Sequence, residues 1–438
     1  MDQNRLYKKN RERLLKKMPA NSVAIIASGE EVIRNRDVEY PFRAESDFFY
    51  LTGFTEPDSV LFLVKKTSTQ NVLFLRPKDP EQETWQGRRL GIEAAPGFIQ
   101  IDQAWSIDEL DEHALDLLEN IEQVYLSFSH LAKWSESINH WLTTLKQRVR
   151  KGVSAPSSIC DLDKILHEMR LCKTADEIKR MRKAAKISVQ GHLSAMDAVL
   201  RCDYEYQVQA ALEAEFVKQG SPRVAFSSIV ASAENACILH YTENRCKIDK
   251  QALLLVDAGA EWQGYAGDIT TTFPASGRFS VEQAQLYSLV LTAQQAAIHA
   301  IKPGVTYDQM HQASLKVLTT GLVELGILQG DVEELIASEA YKAFFMHGTG
   351  HWLGMDVHDV GDYKIKQQWR KLKPGMVVTV EPGLYISAEH ADVDSKWHNI
   401  GIRIEDDVLV TRTGHEVLTV GLPRTVEEIE SWMASRSA

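Results

Sequence analysis

Met376-Val-Val-Thr-Val-Glu381-Pro-Gly383 is an apolar run that stops on a glutamate and a turn dipeptide. Its length and β-branched content read as a buried strand, and Lys373-Pro-Gly375 ahead of it is turn punctuation. A charge at the end of such a strand is expensive to bury alone, so Glu381 needs a partner. Working outward, Gly401-Ile-Arg-Ile-Glu405 is a second strand ending on a glutamate, with Arg403 and Glu405 on one face and Ile402 and Ile404 on the other. That spacing allows either a structural salt bridge or contact with substrate and metal. Upstream, the strand Leu253 to Val256 runs into Asp257-Ala-Gly259, and the next strand carries Asp268. Each half thus places one carboxylate at a strand end and a second on the following strand. A diverged duplication would gather the four across a pseudo-two-fold axis, although a common strand-turn pattern recurring by chance would look the same.

Asp257 and Asp268, with the turn-rich stretch Gly259 to Gly264 between them, can share one face of an antiparallel pair. Like charges brought together there require a cation or a shared proton, unless both aspartates merely cap turns. His347-Gly-Thr-Gly-His351 followed by Trp352-Leu-Gly-Met-Asp-Val-His358-Asp359 is the densest histidine cluster, interleaved with glycines that let backbone approach a ligand. It lacks the H-E-x-x-H spacing of a zincin helix. Four carboxylates, two divalent cations and a bridging hydroxide balance in charge and give a site able to attack a carbonyl at neutral pH. Oxygen ligands with one imidazole suit manganese, cobalt, iron or zinc better than calcium.

The remaining sequence frames that site. A chain of 438 residues, 44% hydrophobic and 25% charged, is expected to form two soluble globular domains. A net charge of −11 argues against a nucleic-acid partner. The basic start, without a signal-like apolar run, and the absence of a membrane-length stretch lead to an expected cytoplasmic location. Five scattered cysteines, never in C-x-x-C, read as reduced thiols. Ser22 to Ala27 and Val60 to Val64 read as strands, Val72 to Leu75 as the second arm of a hairpin, and Asp108 to Leu118 as a helix, so the N-terminal part is α/β. The Ser- and Pro-containing stretch Gly152 to Asp161 reads as the linker, dividing the chain into domains of about 1–165 and 166–438. Beyond it, Thr174-Ala-Asp-Glu177 is a capping box that predicts a helix to about Leu200. Further helices are predicted over Tyr204 to Gln219, Val281 to Ile301 and Tyr307 to Leu325, with strands between and after them, giving an α+β C-terminal part.

Together these residues resemble the prolidase and aminopeptidase P branch of the pita-bread metallopeptidases. The likeness extends to Asp37-Val-Glu-Tyr-Pro-Phe-Arg43, Tyr50-Leu-Thr-Gly-Phe54, Trp85-Gln-Gly-Arg-Arg89 and Ile238-Leu-His240-Tyr-Thr-Glu-Asn244, and so covers nearly the whole chain. It implies a catalytic pita-bread domain behind a creatinase-type α/β domain that drives homo-oligomerisation to a dimer or tetramer. It also implies two divalent metal ions, manganese first, with Asp268 and Glu405 bridging, Asp257 on one ion, and His351 and Glu381 on the other. Glu381 would shuttle a proton to the leaving proline nitrogen, while His240 and His358 hold the substrate and stabilise the tetrahedral intermediate. Tyr385 and Arg403 match supporting residues around the substrate. Trp85 matches a residue that reaches a neighbouring subunit's site, and Asp37 lies in a similar region. The segment Gly361 to Arg370 departs from the pattern, with Arg370 the candidate for a family arginine near the substrate. The implied reaction is removal of the N-terminal residue from peptides with proline second. A dipeptide-restricted prolidase shares all five ligands, and a metal-free peptide-binding module is the alternative of a different class.

Overall fold

The computed structural model describes residues 4–436, in two units, Met1–Met169 and Arg170–Ala438. In the first, six strands form one mixed sheet in the order Gln103–Ser106, Thr69–Leu75, Val60–Lys65, Ser22–Ala27, Gln123–Leu126 and Ser158–Asp161. The expected hairpin is present, with Val60 opposite Phe74 in an antiparallel pair. Helix Leu131–Gln147 buries Trp134, Ile138, Trp141 and Leu145, a stripe at helical spacing that covers the sheet. Trp141 meets Phe62 edge-on at 6.2 Å, and Phe62 meets Phe74 at 5.4 Å.

The stretch read as a linker is corrected here. Ser158–Asp161 pairs in parallel with Gln123–Leu126 as the sheet's edge strand, and the two units divide within the following helix, Asp163–Leu171. An edge strand bonds on one side only, so its short polar sequence carries little strand signal.

In the second unit, Thr174 and Glu177 form the expected capping box, with the Thr174 N–H donating to Glu177 Oε2 at 2.8 Å, and helix Ala175–Val199 follows. Helices Glu205–Lys218, Val281–Ala300 and Asp308–Glu324 lie within a residue or so of the predicted spans. Among the described residues no helix is long and apolar enough to cross a membrane.

The strands of this unit repeat one plan twice. Leu253–Ala258 pairs antiparallel with Ile269–Pro274, Asp257 standing opposite Thr270, while Ala260–Trp262 and Tyr265–Ala266 between them form a separate short pair. Likewise Val377–Val380 pairs with Asp406–Val410, Val380 opposite Asp406, while Gly383–Ile386 and Ile400–Arg403 between them pair separately. Both are long hairpins broken where the carboxylates sit. Asp268 stands just before one outer strand, Glu381 just after another, and Glu405 just before a third. The Glu405 N–H donates to the Thr270 carbonyl at 3.0 Å, and the Asp268 N–H to Asp407 Oδ2 at 3.3 Å, joining the two hairpins at the breaks.

His192, on the long helix and fully buried, ties the first hairpin together from behind. Its Nε2–H donates to the Ala258 carbonyl at 2.9 Å and its Nδ1 accepts from the Thr271 hydroxyl at 2.8 Å. Burial pushes this imidazole down to about 4, so the fold holds it neutral while the unfolded chain would protonate it. Stability from this group is therefore complete above pH 6.5 and is lost as pH falls towards 4. We expect the stability of the metal-free wild type, relative to His192→Gln, to fall by roughly 3 kcal/mol across that interval in urea titrations. A difference that stays constant with pH would mean that His192 is not held neutral.

Candidate active site

A cavity of about 600 Å³ in the second unit is lined by Asp257, Asp268, His351, Glu381 and Glu405 together with His240, His347, His358 and Arg403. The broken hairpins supply the carboxylates. Since Asp257 opposes Thr270, Asp268 lies two residues along on the same face, so both side chains enter the cavity. Ligand atoms of Asp268, His351 and Glu405 lie within 4.8 Å of one another. His351 Nε2 is 3.4 Å from both Asp268 Oδ2 and Glu381 Oε1.

The segment bearing His351 is fixed by the strand beside it. The His351 N–H donates to Thr379 Oγ1 at 3.0 Å, the Thr379 N–H to the His351 carbonyl at 3.0 Å, and the Glu381 N–H to the Thr349 carbonyl at 2.8 Å. Gly350 owes its place to this contact, because a Cβ there would lie 2.0 Å from the Thr379 carbonyl oxygen. That glycine admits a neighbouring strand rather than the ligand expected from sequence. Further along, Asp359 is buried between Arg170, at 2.6 Å, and Lys173, at 2.9 Å. Burial alone would raise its carboxyl, but the two cations hold it below the usual range.

The electrostatics call for a cation. Burial first, then the Asp257 and Asp407 charges, raises the Asp268 carboxyl well above its ordinary value; burial and then Asp268 do the same to Glu405. Glu381 is also raised, chiefly by burial. Asp257 Oδ1 is buried with no hydrogen-bond partner among the described residues. His351 Nδ1 is 3.0 Å from the Trp352 carbonyl, which makes it the donor and leaves the Nε2 lone pair facing two carboxylates. An unpartnered acceptor, a lone pair and crowded carboxylates match a hard or borderline divalent ion.

Arg403 takes a different partner from the one its sequence spacing suggested. Its Nη2 binds Asp257 Oδ2 at 2.6 Å, in the other hairpin, while Nη1 donates to the Tyr385 hydroxyl at 3.0 Å and Nε to Thr270 Oγ1 at 3.0 Å. The Thr270 hydroxyl in turn donates to Glu405 Oε2 at 2.7 Å. A guanidinium reaches past its own strand, and face alternation says nothing about which strand lies opposite. Burial pushes the Tyr385 hydroxyl up to about 12 against the opposing pull of the Arg403 charge, and it stays protonated. His347 Nε2 lies 2.8 Å from that hydroxyl, and burial with the Arg403 charge pushes its imidazole down to about 3. Its position four residues before His351 was the available signal for this residue.

His358 packs edge-on to His351 at 4.3 Å, and burial, followed by the neighbouring imidazole, lowers it. Arg370 is 3% exposed, with its Nε donating to the Asp362 carbonyl. It directly follows the hairpin Lys364–Trp369 and is not among the residues that line the cavity. Trp85 and Asp37 belong to the first unit and are exposed, Trp85 at 83% in a short helix and Asp37 in a tight turn. A larger groove of about 950 Å³ between helices Val281–Ala300 and Asp308–Glu324 is mostly apolar and lacks convergent titratable groups.

Comparison with known proteins finds relatives over nearly the whole chain. Residues 179–412 match metallopeptidase family M24, and residues 7–125 match the aminopeptidase P N-terminal domain. Xaa-Pro aminopeptidase of Escherichia coli is 42% identical over 431 residues, covering 98% of this chain and 97% of that protein. The structure of Pseudomonas aeruginosa aminopeptidase PepP superposes with a TM-score of 0.96 at 47% identity, covering 99% of this chain and 98% of the other. Zinc-substituted E. coli aminopeptidase P in complex with product gives 0.95 at 42% identity, with coverage of 99% and 98%.

Raised carboxylates make the stripped protein lose stability as pH rises from their ordinary values, 3.8 for Asp268 and 4.5 for Glu405, towards their folded ones. A bound cation removes that penalty and binds better as the ligands deprotonate. The increase in Tm on adding a divalent metal to chelator-treated protein should therefore grow between about pH 5 and pH 8. A gain independent of pH would contradict this electrostatic account.

Proposed function

The chain belongs to metallopeptidase family M24, and we propose that it acts as an aminopeptidase releasing the N-terminal residue from peptides whose second residue is proline. The observation carrying the catalytic part is His351 Nε2 facing Asp268 and Glu381 at 3.4 Å in a cavity shared with Glu405 and the unpartnered Asp257 oxygen. The requirement for proline is taken from the relatives' specificity.

In this reading Asp257, Asp268, His351, Glu381 and Glu405 would together hold two divalent ions, manganese first, with Asp268 and Glu405 as the carboxylates that would be shared between them. Such ions supply Lewis-acid polarisation of a carbonyl and ease deprotonation of water at neutral pH. The chain's own residues do the rest. Glu381 accepts the Thr379 hydroxyl at 3.1 Å, which aims its carboxylate. It takes the proton released by the attacking water and passes it to the proline nitrogen, which leaves readily only once protonated. His240 and His358 line the same cavity and donate hydrogen bonds to the carbonyl oxygen as negative charge develops on it. Arg403 holds Asp257 by one oxygen and leaves the other for the metal, while Tyr385 steadies Arg403.

The reading extends to a homo-oligomer working in the cytoplasm on peptides, in which the exposed Trp85 reaches the site of a second copy and Asp37 contributes beside it.

A panel of peptides differing in length and second residue tests the specificity. Xaa-Pro-Yaa tripeptides should be cut with release of the first residue, and Xaa-Ala-Yaa should be poor substrates. Cleavage of Xaa-Pro dipeptides alone would make the enzyme a prolidase and overturn the proposal. Asp268→Asn should lose bound metal, measured by elemental analysis, along with activity. His358→Ala should keep its metal but lose about 10²- to 10³-fold in kcat. Full activity in either variant would remove the residue from the mechanism.

A further inference from the structure

His240 stands on a stretch, residues 238–245, with neither helix nor strand to hold it. Two residues near its ends adopt left-handed backbone conformations, Ala233 at φ 53° and Asn244 at φ 50°. Such conformations persist in non-glycine residues only where the surroundings impose them. Part of that constraint comes from Asn244, whose side-chain oxygen accepts the Val230 N–H at 2.9 Å and whose amide donates to the Ser228 carbonyl at 2.8 Å.

The other part is Glu205, the first residue of helix Glu205–Lys218 and fully buried. Among the described residues it has no ion-pair partner, yet both oxygens are saturated. Oε1 accepts the Ser232 N–H and the Asn235 side-chain amide, each at 2.9 Å. Oε2 accepts the Tyr241 hydroxyl and the Cys246 N–H, each at 2.8 Å. The Glu205 N–H closes the arrangement by donating to the Cys246 carbonyl at 3.1 Å. Every donor lies on residues 232–246, on either side of His240, and Tyr241 is its immediate neighbour. A carboxylate offers about four acceptor positions, and here all are engaged by one loop. A glutamine in its place would set an amide N–H₂ against two donors.

We infer that Glu205 is a positioning residue, which folds the 232–246 loop around its carboxylate so that the His240 imidazole is presented to the cavity. The inference rests on the role proposed above for His240. Removing the hub leaves His240 on a loop with several conformations, only one of them productive, so the loss falls on the step that needs its hydrogen bond.

The test is a double-mutant cycle on full-length, metal-loaded enzyme with an Xaa-Pro-Yaa tripeptide. Glu205→Gln should lower kcat by about 10- to 100-fold while KM stays within about twofold and the metal content is unchanged. Tyr241→Phe, which removes one donor and leaves the carboxylate, should cost less, about 3- to 10-fold, and carries the same comparison if Glu205→Gln does not fold. In a His240→Ala background either change should add less than about twofold, because the group being positioned is gone. The same factor in both backgrounds would show a general structural role, and unchanged kcat in both single variants would show no role; each overturns the inference. A His240→Ala enzyme with wild-type kcat instead removes the role of His240 itself, and that single variant tells the two failures apart.

Discussion

The whole second unit depends on mutual repulsion among carboxylates. Asp257, Asp268, Glu405 and Asp407 are buried beside the half-buried Glu381, and Arg403 is a cation bonded directly to one of these carboxylates, that of Asp257. Burying like charges side by side is among the costliest arrangements available to a chain. The structure tolerates it by supplying neutral donors, among them the Thr270 hydroxyl to Glu405, the Thr379 hydroxyl to Glu381 and a backbone N–H to Asp407. What these donors leave unbalanced defines what must bind. The cavity's affinity for cations is therefore built into the fold rather than added by a flexible loop.

Placing those charges needs strands that stop pairing at chosen residues. A continuous hairpin would point alternate side chains to opposite faces and keep the backbone fully bonded. Breaking each hairpin once lets the residues at the break turn into the cavity, and the freed N–H groups of Asp268 and Glu405 find acceptors in the opposite hairpin. Helix Ala175–Val199 supports the first hairpin through His192. On the far side, Arg170 and Lys173 anchor the segment carrying His351 and His358 through Asp359. The carboxylates and histidines that line the cavity thus sit on short stretches held by neighbouring segments.

Much of this was legible in the sequence because it obeys local rules. The Thr174 capping box, the helix spans and the strand ends at Asp257 and Glu381 follow from spacing and composition. The shared face of Asp257 and Asp268 follows from the same alternation. What could not be read was set by contacts between distant segments. Arg403 shares a face with Glu405 but pairs with Asp257, because the choice depends on which hairpin lies opposite. Ser158–Asp161 looks like a linker because an edge strand needs little of the usual strand signal. Gly350 serves strand Val377–Val380, and Arg370 is buried with its Nε donating to the Asp362 carbonyl. Glu205 is one acidic residue among many until four donors from a single loop converge on it.

The broken hairpins also limit how this sequence can diverge. Between Asp257 and Asp268 the chain must make its short inner pair and return in phase, so gain or loss of a single residue there would swap the two faces of the returning strand. The same parity governs the returning arm between Arg403 and the strand Asp406–Val410. The long connection between Ile386 and Ile400, which holds the single 3-10 turn Ser395–Trp397, carries no such strand parity. The strand parity on either side of the cavity thus ties the spacing of the chain to the metal site as firmly as the choice of ligand residues does.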